Sequence, residues 1–315
     1  MKVLITGGAG LIGSHIAESL LGRSDRALVL DNYSTGRRDN LNNHRLLTVI
    51  EGDIGDKPFV DKTFEEFRPD YVIHAAASYK NPDDWEQDTK TNVMGTACIV
   101  KAALRHEVKR LIYFQTSLCY GIYPKQQPVR IDYPLNPSSS SYAISKTAGE
   151  NYIRLSGLDF ISFRLANIIG PRNLSGPIPT FYQRLSKNLP CFVTDTRRDF
   201  IYVKDLVDLV LMALDGSGKS GIYHVSTGTD YAIREVFDCV VSAMKITPPP
   251  AVEVRPRNPD DAPTILLDPS RTHRDFNWKA KTPLETTISA AVAWYNEHGV
   301  QQAYTHLSED KKNGK

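Results

Sequence analysis

Short apolar runs alternate with longer segments of mixed polarity along the first half of the chain. The apolar runs predict strands at residues 3–6, 27–30, 47–51, 71–74, 110–115 and 160–165. Segments of helical pattern predict helices at residues 12–21, 91–105 and 142–155. Strands that alternate with helices build βαβ units, and such units form parallel sheets covered by helices. The pattern therefore predicts an α/β protein with a doubly wound parallel sheet and helices on both faces.

The second half of the chain is less regular. Gly- and Pro-rich stretches follow residue 167, at residues 170–172, 176–179 and 248–250. We therefore predict a first domain at residues 1–166 and a smaller α/β domain at residues 167–315. Segment 199–225 has the pattern of a strand, a helix and a strand, and we predict that it returns to the first domain. Irregular segments on a rigid scaffold often carry substrate contacts, so the smaller domain is the predicted substrate-binding domain.

Composition and charge exclude several classes of function. The 315 residues include 38 Lys and Arg against 36 Asp and Glu, and a net charge of +2 lacks the basic excess of a nucleic-acid-binding protein. The sequence has no run of 18 apolar residues and no signal-peptide pattern, so we expect no membrane partner and a cytoplasmic location. The four cysteines lie too far apart for a metal motif or a disulfide framework, so we expect buried thiols and no metal site.

Three glycines follow the first predicted strand at regular spacing. Gly7, Gly10 and Gly13 stand between that strand and the first predicted helix. In a dinucleotide-binding turn, the first glycine permits the tight turn, the second lets the backbone approach a pyrophosphate, and the third lets the helix pack on the strand. Leu11 and Ile12 open the helix, where backbone amides attract an anion. The motif predicts a Rossmann-type fold with a dinucleotide cofactor.

Asp31 ends the next predicted strand, where the motif places an acidic residue. A carboxylate there accepts hydrogen bonds from the adenosine ribose and repels a 2′-phosphate, so it favours NAD over NADP. Arg37 and Arg38 follow closely and leave NADP as the alternative cofactor.

Tyr142 and Lys146 share one face of a predicted helix, because they are separated by about one turn. A lysine cation beside a tyrosine stabilises the phenolate and lowers the pKa of the phenol. Such a phenol can take a proton from a substrate hydroxyl while a hydride leaves the carbon. We interpret the pair as a catalytic base and its supporting cation.

These motifs occur together in a known family. The chain resembles the extended short-chain dehydrogenases/reductases, specifically the NAD-dependent nucleotide-sugar epimerases and dehydratases, over nearly its whole length. The UDP-glucose 4-epimerases are the branch that it resembles, and in particular those that serve surface polysaccharides and O-antigens. The matching segments are residues 6–13, 31–32, 52–54, 74–77, 92, 116–121, 142–146, 164–171, 198–205 and 276–278.

The resemblance implies a set of cofactor and catalytic residues. Thr116 would hydrogen-bond the sugar hydroxyl and help its proton move to Tyr142, and Lys146 would also hold the nicotinamide ribose. The residues implied to contact NAD are Gly7, Gly10, Leu11, Ile12, Gly13, Asp31, Asn32, Asp53, Ile54, Ala75, Ala76, Ala77, Asn92, Tyr142 and Lys146.

The residues after Thr116 separate reaction types within the family. Members that eliminate water or decarboxylate a uronic acid carry a glutamate two residues after the catalytic Ser or Thr, where this chain has Leu118. A leucine cannot move a proton. We therefore predict an epimerase, most simply at the sugar C4 through a transient 4-keto sugar. The alternatives are a dehydratase, a decarboxylase or a 4-ketoreductase on the same scaffold, a generic alcohol or steroid dehydrogenase, and a non-catalytic NAD-binding protein.

The resemblance also places residues around a nucleotide-sugar substrate. Asn167 and Arg198 match positions that bind the substrate diphosphate, and an arginine suits a diphosphate because its fork makes paired charge-assisted bonds. Arg257 stands near the position of a second phosphate-binding arginine. The remaining candidates are Ser78, Tyr79, Lys80, Ser117, Ile178 and Phe192. A UDP-sugar is favoured, while the base and the sugar (hexose, N-acetylhexosamine or uronic acid) stay open. A homodimer is also implied, with predicted helices 91–105 and 142–155 pairing into a four-helix bundle.

Overall fold

The computed structural model describes residues 1–79, 81–138, 140–258, 261–300 and 303. The strands of these residues are β1 (Lys2–Thr6), β2 (Arg26–Asp31), β3 (Leu47–Glu51), β4 (Tyr71–His74), β5 (Arg110–Thr116), β6 (Phe160–Leu165), β7 (Asn167–Ile169), β8 (Cys191–Thr194), β9 (Arg197–Arg198), β10 (Phe200–Tyr202), β11 (Gly221–Val225), β12 (Tyr231–Ala232) and β13 (Val252–Arg255). The α-helices are α1 (Leu11–Gly22), α2 (Lys57–Phe67), α3 (Trp85–Asp88), α4 (Thr96–Arg105), α5 (Ser141–Ser156), α6 (Pro177–Ser186), α7 (Val203–Leu214), α8 (Ile233–Ala243), α9 (Ser270–Phe276) and α10 (Leu284–His298). A π-helical segment, Thr89–Gly95, joins α3 to α4, and single 3₁₀ turns lie at Arg38–Asn40 and Ser117–Tyr120.

Seven parallel strands form the central sheet in the order β11-β6-β5-β4-β1-β2-β3. The strand order reverses between β1 and β4, so the loops that leave their carboxyl ends diverge and open a crevice there. The predicted α/β class with a doubly wound parallel sheet is confirmed. The glycine loop follows β1 at that crevice.

Helices cover both faces of the sheet, because successive residues of each strand point to opposite sides. In β1, Val3 and Ile5 pack with α1 and α7, whereas Leu4 packs with α2 and α4 on the other face. The other inner strands alternate in the same way. Buried on both faces, these strands consist largely of β-branched, leucine and aromatic residues.

A separate apolar core lies outside the central sheet. It packs α6, α8 and α10 around β8, and includes Phe181, Phe237 and Tyr295. The strand β8 pairs with β13 in a small parallel ribbon. This second core supports the predicted substrate-binding domain, and its boundary at residue 166 stays a prediction.

The segment at residues 199–225 differs in detail from the sequence pattern. Its second strand, β11, lies beside β6 in the central sheet. Its first strand, β10, instead pairs with β7 in a separate two-stranded ribbon. The pattern correctly indicates strand, helix and strand, but a local pattern cannot say which partner a short strand takes.

Three of the four cysteines are buried, Cys239 is partly buried, and all four are free thiols. Across the described parts of the chain, every helix falls short of the length and apolar character needed to cross a bilayer.

Candidate active site

The glycine loop is shaped by close backbone approaches. Gly7 has a φ of +66°, and a Cβ there would lie 2.6 Å from the amide nitrogen of Ala76. A Cβ on Gly13 would lie 2.4 Å from the carbonyl oxygen of Gly7. Gly10 differs, since its Cβ would meet only the oxygen of Gly7, at 3.3 Å. The first and third glycines therefore serve packing, and the second presents open backbone.

The N-terminus of α1 lacks a capping side chain. Gly10 is the N-cap, and it has no side chain that could accept a hydrogen bond from the first-turn amides. The amides of the first turn of a helix have no partner within the helix, and they favour an anion together with the helix dipole. Leu11 and Ile12 open this turn, so the loop is suited to the pyrophosphate of a dinucleotide.

Asp31 joins the glycine loop to the end of β2. Its Oδ2 accepts a hydrogen bond from the Ala9 amide at 2.8 Å, and its Oδ1 accepts one from the Tyr33 amide at 2.8 Å. Burial raises the pKa of this carboxyl, and the two amide hydrogen bonds oppose that rise. Arg37 pairs with Asp39, and Arg38 pairs with Glu51 at 2.6 Å. Both arginines thus have carboxylate partners, which weakens the NADP alternative.

The strand β4 and the segment after it line the crevice opposite the glycine loop. The amides of Ala75 and Ala76 donate to the backbone oxygen and the hydroxyl of Thr6, at 3.1 and 3.2 Å. His74 Nδ1 lies 2.7 Å from Thr6 Oγ1, and His74 Nε2 lies 2.9 Å from Thr96 Oγ1. Because the Thr96 hydroxyl donates to the Asn92 carbonyl, the network is satisfied by a neutral His74 that carries its proton on Nε2. Burial lowers the pKa of His74 to about 3, so neutrality is its stable state.

Asn92 acts on the segment that follows Ala77. Its side chain exchanges two hydrogen bonds of 2.9 Å with the backbone of Ser78 and donates to Ser145 Oγ at 3.0 Å. The carboxamide thereby ties the segment after β4 to α5. A Cβ on Gly149 of α5 would lie 2.8 Å from the Asn92 carbonyl, so the small residue permits this close packing. Asn92 is placed to position the crevice wall, and its contact with NAD stays a prediction.

The other predicted cofactor residues lie along the carboxyl edge of the sheet. Asp53 pairs with Lys90 at 2.6 Å and accepts from the Gly55 amide at 2.8 Å. Ile54 is buried against the π-helical segment, where a Cβ on Gly95 would touch it at 2.6 Å. Asn32 is exposed and its Oδ1 accepts from the Ser34 amide.

The three predicted catalytic residues come from two neighbouring elements. Thr116 ends β5, and its hydroxyl caps the 3₁₀ turn by accepting from the Leu118 amide at 3.2 Å. Tyr142 and Lys146 lie on successive turns of α5, which packs on β5. The Tyr113 hydroxyl of β5 donates to the Lys146 carbonyl at 3.0 Å. This bond fixes the height of α5 along the strand that carries Thr116.

Lys146 is buried, and its ammonium lies 3.9 Å from the centroid of the Tyr113 ring. Burial lowers the pKa of Lys146 to about 7, against the opposing attraction of Glu150. Tyr142 is partly buried and its ring packs edge-on against Tyr79, with centroids 6.4 Å apart. Burial, then Tyr79 and Asp88, raise the pKa of Tyr142. The expected lowering of that pKa by Lys146 is therefore wrong for the protein groups alone.

The candidate substrate residues are more dispersed. Arg198 donates to Asp261 Oδ1 at 2.5 Å and to the Ala262 carbonyl at 2.8 Å. Asn167 is exposed, and its Nδ2 donates to the Asp199 carbonyl at 3.0 Å. Phe192 lies in β8 beneath the guanidinium of Arg255, 4.1 Å from the ring centroid. Ile178 requires correction, because its side chain is fully buried in the second core and cannot face a ligand.

Arg257 lies close to the segment that follows Thr116. Its guanidinium carbon is 5.9 Å from the ring centroid of Tyr123, and its Nη2 lies 3.4 Å from the Tyr123 hydroxyl. Its Nε is buried and has no hydrogen-bond partner among the described residues. Tyr123 lines a cleft of about 350 Å³ together with Gly121, Lys125, Tyr133 and Asn136. Ser117 opens the 3₁₀ turn at the base of this segment, Ser78 is bound to Asn92, and Lys80 lies outside the described residues.

Comparison with known proteins identifies the family. Residues 3–226 match the NAD dependent epimerase/dehydratase family, which is more than half of the chain. The chain belongs to this family. Its members are NAD-dependent enzymes, so the glycine loop, Asp31 and the Tyr142–Lys146 pair stand in an enzyme of that kind.

Solved structures and curated relatives match this epimerase/dehydratase along nearly the whole chain. The enzyme WbmH of Bordetella bronchiseptica, solved in complex with NAD+, is 55% identical, with a TM-score of 0.92 over 95% of this chain and 99% of that one. The enzyme WbmG of the same organism, solved with NAD and UDP, is 45% identical, with a TM-score of 0.90 over 97% of this chain and 98% of that one. A UDP-glucose 4-epimerase of Halalkalibacterium halodurans is 30% identical over 99% of this chain and 100% of its own length.

A buried ion pair one helical turn beyond Lys146 links several elements of this epimerase/dehydratase. The sequence did not reveal it. Glu150 lies one turn after Lys146 and pairs with Arg164 of β6 at 2.5 Å. Arg164 also donates to the Tyr120 hydroxyl at 2.6 Å, which lies 2.6 Å from His224 Nε2. Four buried side chains thus connect α5 with β6, β11 and the segment after Thr116. The helical spacing of Lys146 and Glu150 is visible in the sequence. The sequence does not show that Glu150 pairs with Arg164.

Proposed function

We propose that the protein is an NAD-dependent epimerase that inverts C4 of a UDP-sugar through a transient 4-keto sugar. The family supplies the cofactor class, and relatives named as UDP-glucose 4-epimerases support the reaction. The structure of WbmG with NAD and UDP supports a uridine nucleotide. Because the chain resembles enzymes of surface-polysaccharide synthesis, we propose that the epimerised sugar nucleotide serves as a precursor in that synthesis.

The residues of the site have separate tasks in this reaction. Bound NAD supplies the chemistry of removing a hydride from the sugar carbon and returning it to the opposite face. Thr116 hydrogen-bonds the C4 hydroxyl, and the Tyr142 oxygen takes the hydroxyl proton and later gives it back. Lys146 stabilises the phenolate in the step between. The lowered pKa of Lys146 leaves part of its population charged near neutrality, and the carboxylate of Glu150 favours that charge.

Leu118 is the observation that carries the choice of epimerisation. It lies in the 3₁₀ turn after Thr116 and packs with the apolar cluster around Cys119 and Val129. Elimination of water or loss of carbon dioxide needs an acid or base at the sugar beyond Tyr142. An apolar side chain at this position supplies none, whereas epimerisation needs only Thr116, Tyr142, Lys146 and the cofactor.

Arg198 and Arg257 are proposed to hold the substrate diphosphate. Arg257 supports this, because its buried Nε lacks a partner among the described residues and an unpaired charged donor is unfavourable. Arg198 reaches the diphosphate only if the substrate competes with Asp261 for its guanidinium. Asn167, Ser78, Tyr79, Ser117 and Phe192 stay predicted contacts of the sugar or the base.

The reaction is tested with the purified protein and a panel of nucleotide sugars, without added NAD. Mass spectrometry after chromatography should detect a new isomer of unchanged mass from at least one UDP-sugar. Tyr142→Phe should lose that activity and retain its NAD, and Tyr152→Phe, an exposed tyrosine of the same helix, serves as the matched control. A product lighter by water or carbon dioxide would replace epimerisation by elimination or decarboxylation.

We also propose a homodimer built through α4 and α5. Exposed apolar side chains lie on one face of α5 at Ile144 and Leu155, and Trp85 of α3 and Met94 of the π-helical segment are exposed as well. Several exposed apolar side chains on packed helices are typical of a contact between subunits. Light scattering should give a dimer mass for the native chain and a monomer mass for Ile144→Glu. Leu189→Glu introduces the same charge at an exposed leucine of the second domain and should leave the dimer intact.

The site of action and the division of labour between domains complete the proposal. We expect action in the cytoplasm, because four free thiols suit a reducing compartment. Residues 1–166, with the strand at 221–225, are proposed to bind NAD, and residues 167–315 to bind the sugar nucleotide. Cell fractionation tests the first point, and hydrogen exchange with NAD or UDP added separately tests the second.

A further inference from the structure

Asp88 is buried although its neighbours on α3 are exposed. It is 1% exposed, whereas Trp85 and Glu86 on the same short helix face solvent. Both carboxylate oxygens are closed to solvent, and neither has a hydrogen-bond partner among the described residues. A buried carboxyl without a partner lowers stability. Asp88 therefore does not stabilise the fold, and a role in function would explain its position.

The position of Asp88 points to Tyr142. The helix α3 packs against α5, which carries Tyr142 near its N-terminus. The charge of Asp88 acts on the Tyr142 hydroxyl in the same direction as burial and Tyr79, and opposes loss of the proton. The π-helical segment begins directly after Asp88, and such segments occur frequently at functional sites.

Several ionisable groups from neighbouring elements lie around Tyr142 and Lys146. The loop after β4 contributes Tyr79, α3 contributes Asp88, and β5 contributes Tyr113. The strand β4 contributes His74, whose pKa is lowered by burial and by the charge of Lys146. The helix of Tyr142 contributes Lys146, with Glu150 one turn beyond it. Asp88 is the acidic side chain of this set whose oxygens have no partner among the described residues, since Glu150 is paired with Arg164.

An epimerase uses the Tyr142 hydroxyl in two proton transfers of opposite direction. A negative charge that opposes the effect of the Lys146 cation is therefore useful. Tyr142 takes a proton as the hydride leaves C4, and it must return that proton when the hydride comes back to the other face. A cation alone would hold the phenolate and retard the return. We propose that Asp88 is a positioning residue that opposes Lys146, so that the proton leaves and returns to the Tyr142 oxygen with comparable ease. This inference rests on the proposed epimerase function.

The test compares two neutral variants, Asp88→Asn and Asp88→Ser, with Glu86→Gln as the matched control. Glu86 is an exposed acid on the same helix, so its variant makes the same change of net charge. Removal of the Asp88 charge makes the phenolate easier to form. We therefore expect the acidic limb of the kcat profile to move to lower pH in both variants, with a several-fold fall in kcat and little change in KM.

Stability provides a second measurement that does not depend on turnover. Because Asp88 is buried without a partner, the midpoint of urea unfolding should be equal or higher in both variants. A lower midpoint with an unmoved acidic limb would mean that Asp88 is structural and would overturn the proposal. An unmoved limb in Asp88→Ser overturns it even if Asp88→Asn fails to fold. Failure of the epimerase assignment is recognised separately, because the wild-type protein would then form no isomer from any sugar of the panel.

Discussion

Lys146 is a buried charge, and its replacement should stabilise the protein while abolishing its activity. Burial lowers the pKa of this ammonium from 10.5 to about 7. In the unfolded chain the lysine stays protonated up to its ordinary pKa. The unfolded state therefore binds more protons than the folded state between about pH 7 and pH 10.5, and the folded protein gains stability as the pH rises through that range.

The magnitude follows from the difference between the two pKa values. A fall of the pKa from 10.5 to about 7 corresponds to roughly 5 kcal/mol of unfavourable free energy at pH 6, of which roughly 1 kcal/mol is left at pH 9.5. Lys146→Met removes the charge and keeps most of the apolar volume. We expect its free energy of unfolding to exceed that of the native chain by up to about 5 kcal/mol at pH 6 and by much less at pH 9.5.

The assay is urea unfolding of the NAD-free protein at pH 6 and pH 9.5. Lys101→Met is the control, since Lys101 is an exposed lysine of α4 and should change stability little at either pH. A Lys146→Met protein that is less stable than the native chain at pH 6 would refute the reasoning. So would a stabilisation that is the same at both pH values, because it would come from packing and not from charge.

Three further predictions concern the network, the loop and the proton path. Glu150→Gln leaves Arg164 buried without its counter-ion and should lower the free energy of unfolding by about 3–5 kcal/mol in urea titrations, and a loss below about 1 kcal/mol would contradict the pairing. Gly13→Ala forces a Cβ within 2.4 Å of the Gly7 oxygen and should abolish NAD retention, measured as cofactor released on denaturation, while Gly22→Ala, where no atom lies within 4 Å, should retain it. Thr116→Val should lower kcat by about 10²-fold or more in the isomerisation assay, whereas Thr116→Ser should keep most of it.

The elements of the central sheet could be predicted because their signals are local. Short continuous apolar runs mark β1, β2 and β5, and the glycine spacing marks the turn after β1. The helix α2 was not among the predicted elements, although Asp56 caps it through the Phe59 amide and Pro58 lies in its first turn. The predicted helix at residues 91–105 in fact begins inside the π-helical segment Thr89–Gly95, which follows α3, and apolar spacing does not reveal this distortion.

The identities of the candidate site residues could be predicted from the sequence. Their burial and their neighbours could be predicted less well. Tyr142, Lys146 and Thr116 are predicted from spacing and resemblance, and their catalytic roles stay predictions. The direction of the Tyr142 pKa was not predicted, because burial, Tyr79 and Asp88 raise it and none of these influences is visible in the spacing. Ile178 was misjudged for a related reason, since a residue that opens a helix over a ligand can equally turn its side chain into the core beneath that helix.

The buried polar networks explain how so irregular a set of side chains holds one geometry. Thr6, His74 and Thr96 come from three distant parts of the sequence and satisfy one another only when β1, β4 and α4 are in register. The pair of Glu150 and Arg164 imposes the same condition on α5 and β6. A buried polar group without a partner destabilises a fold by more than a buried hydrogen bond stabilises it. These contacts therefore disfavour shifted packings more than they stabilise the native packing. The helix that carries Tyr142 and Lys146 is thereby fixed against the strand that carries Thr116, which is what a proton transfer over a single hydrogen bond requires.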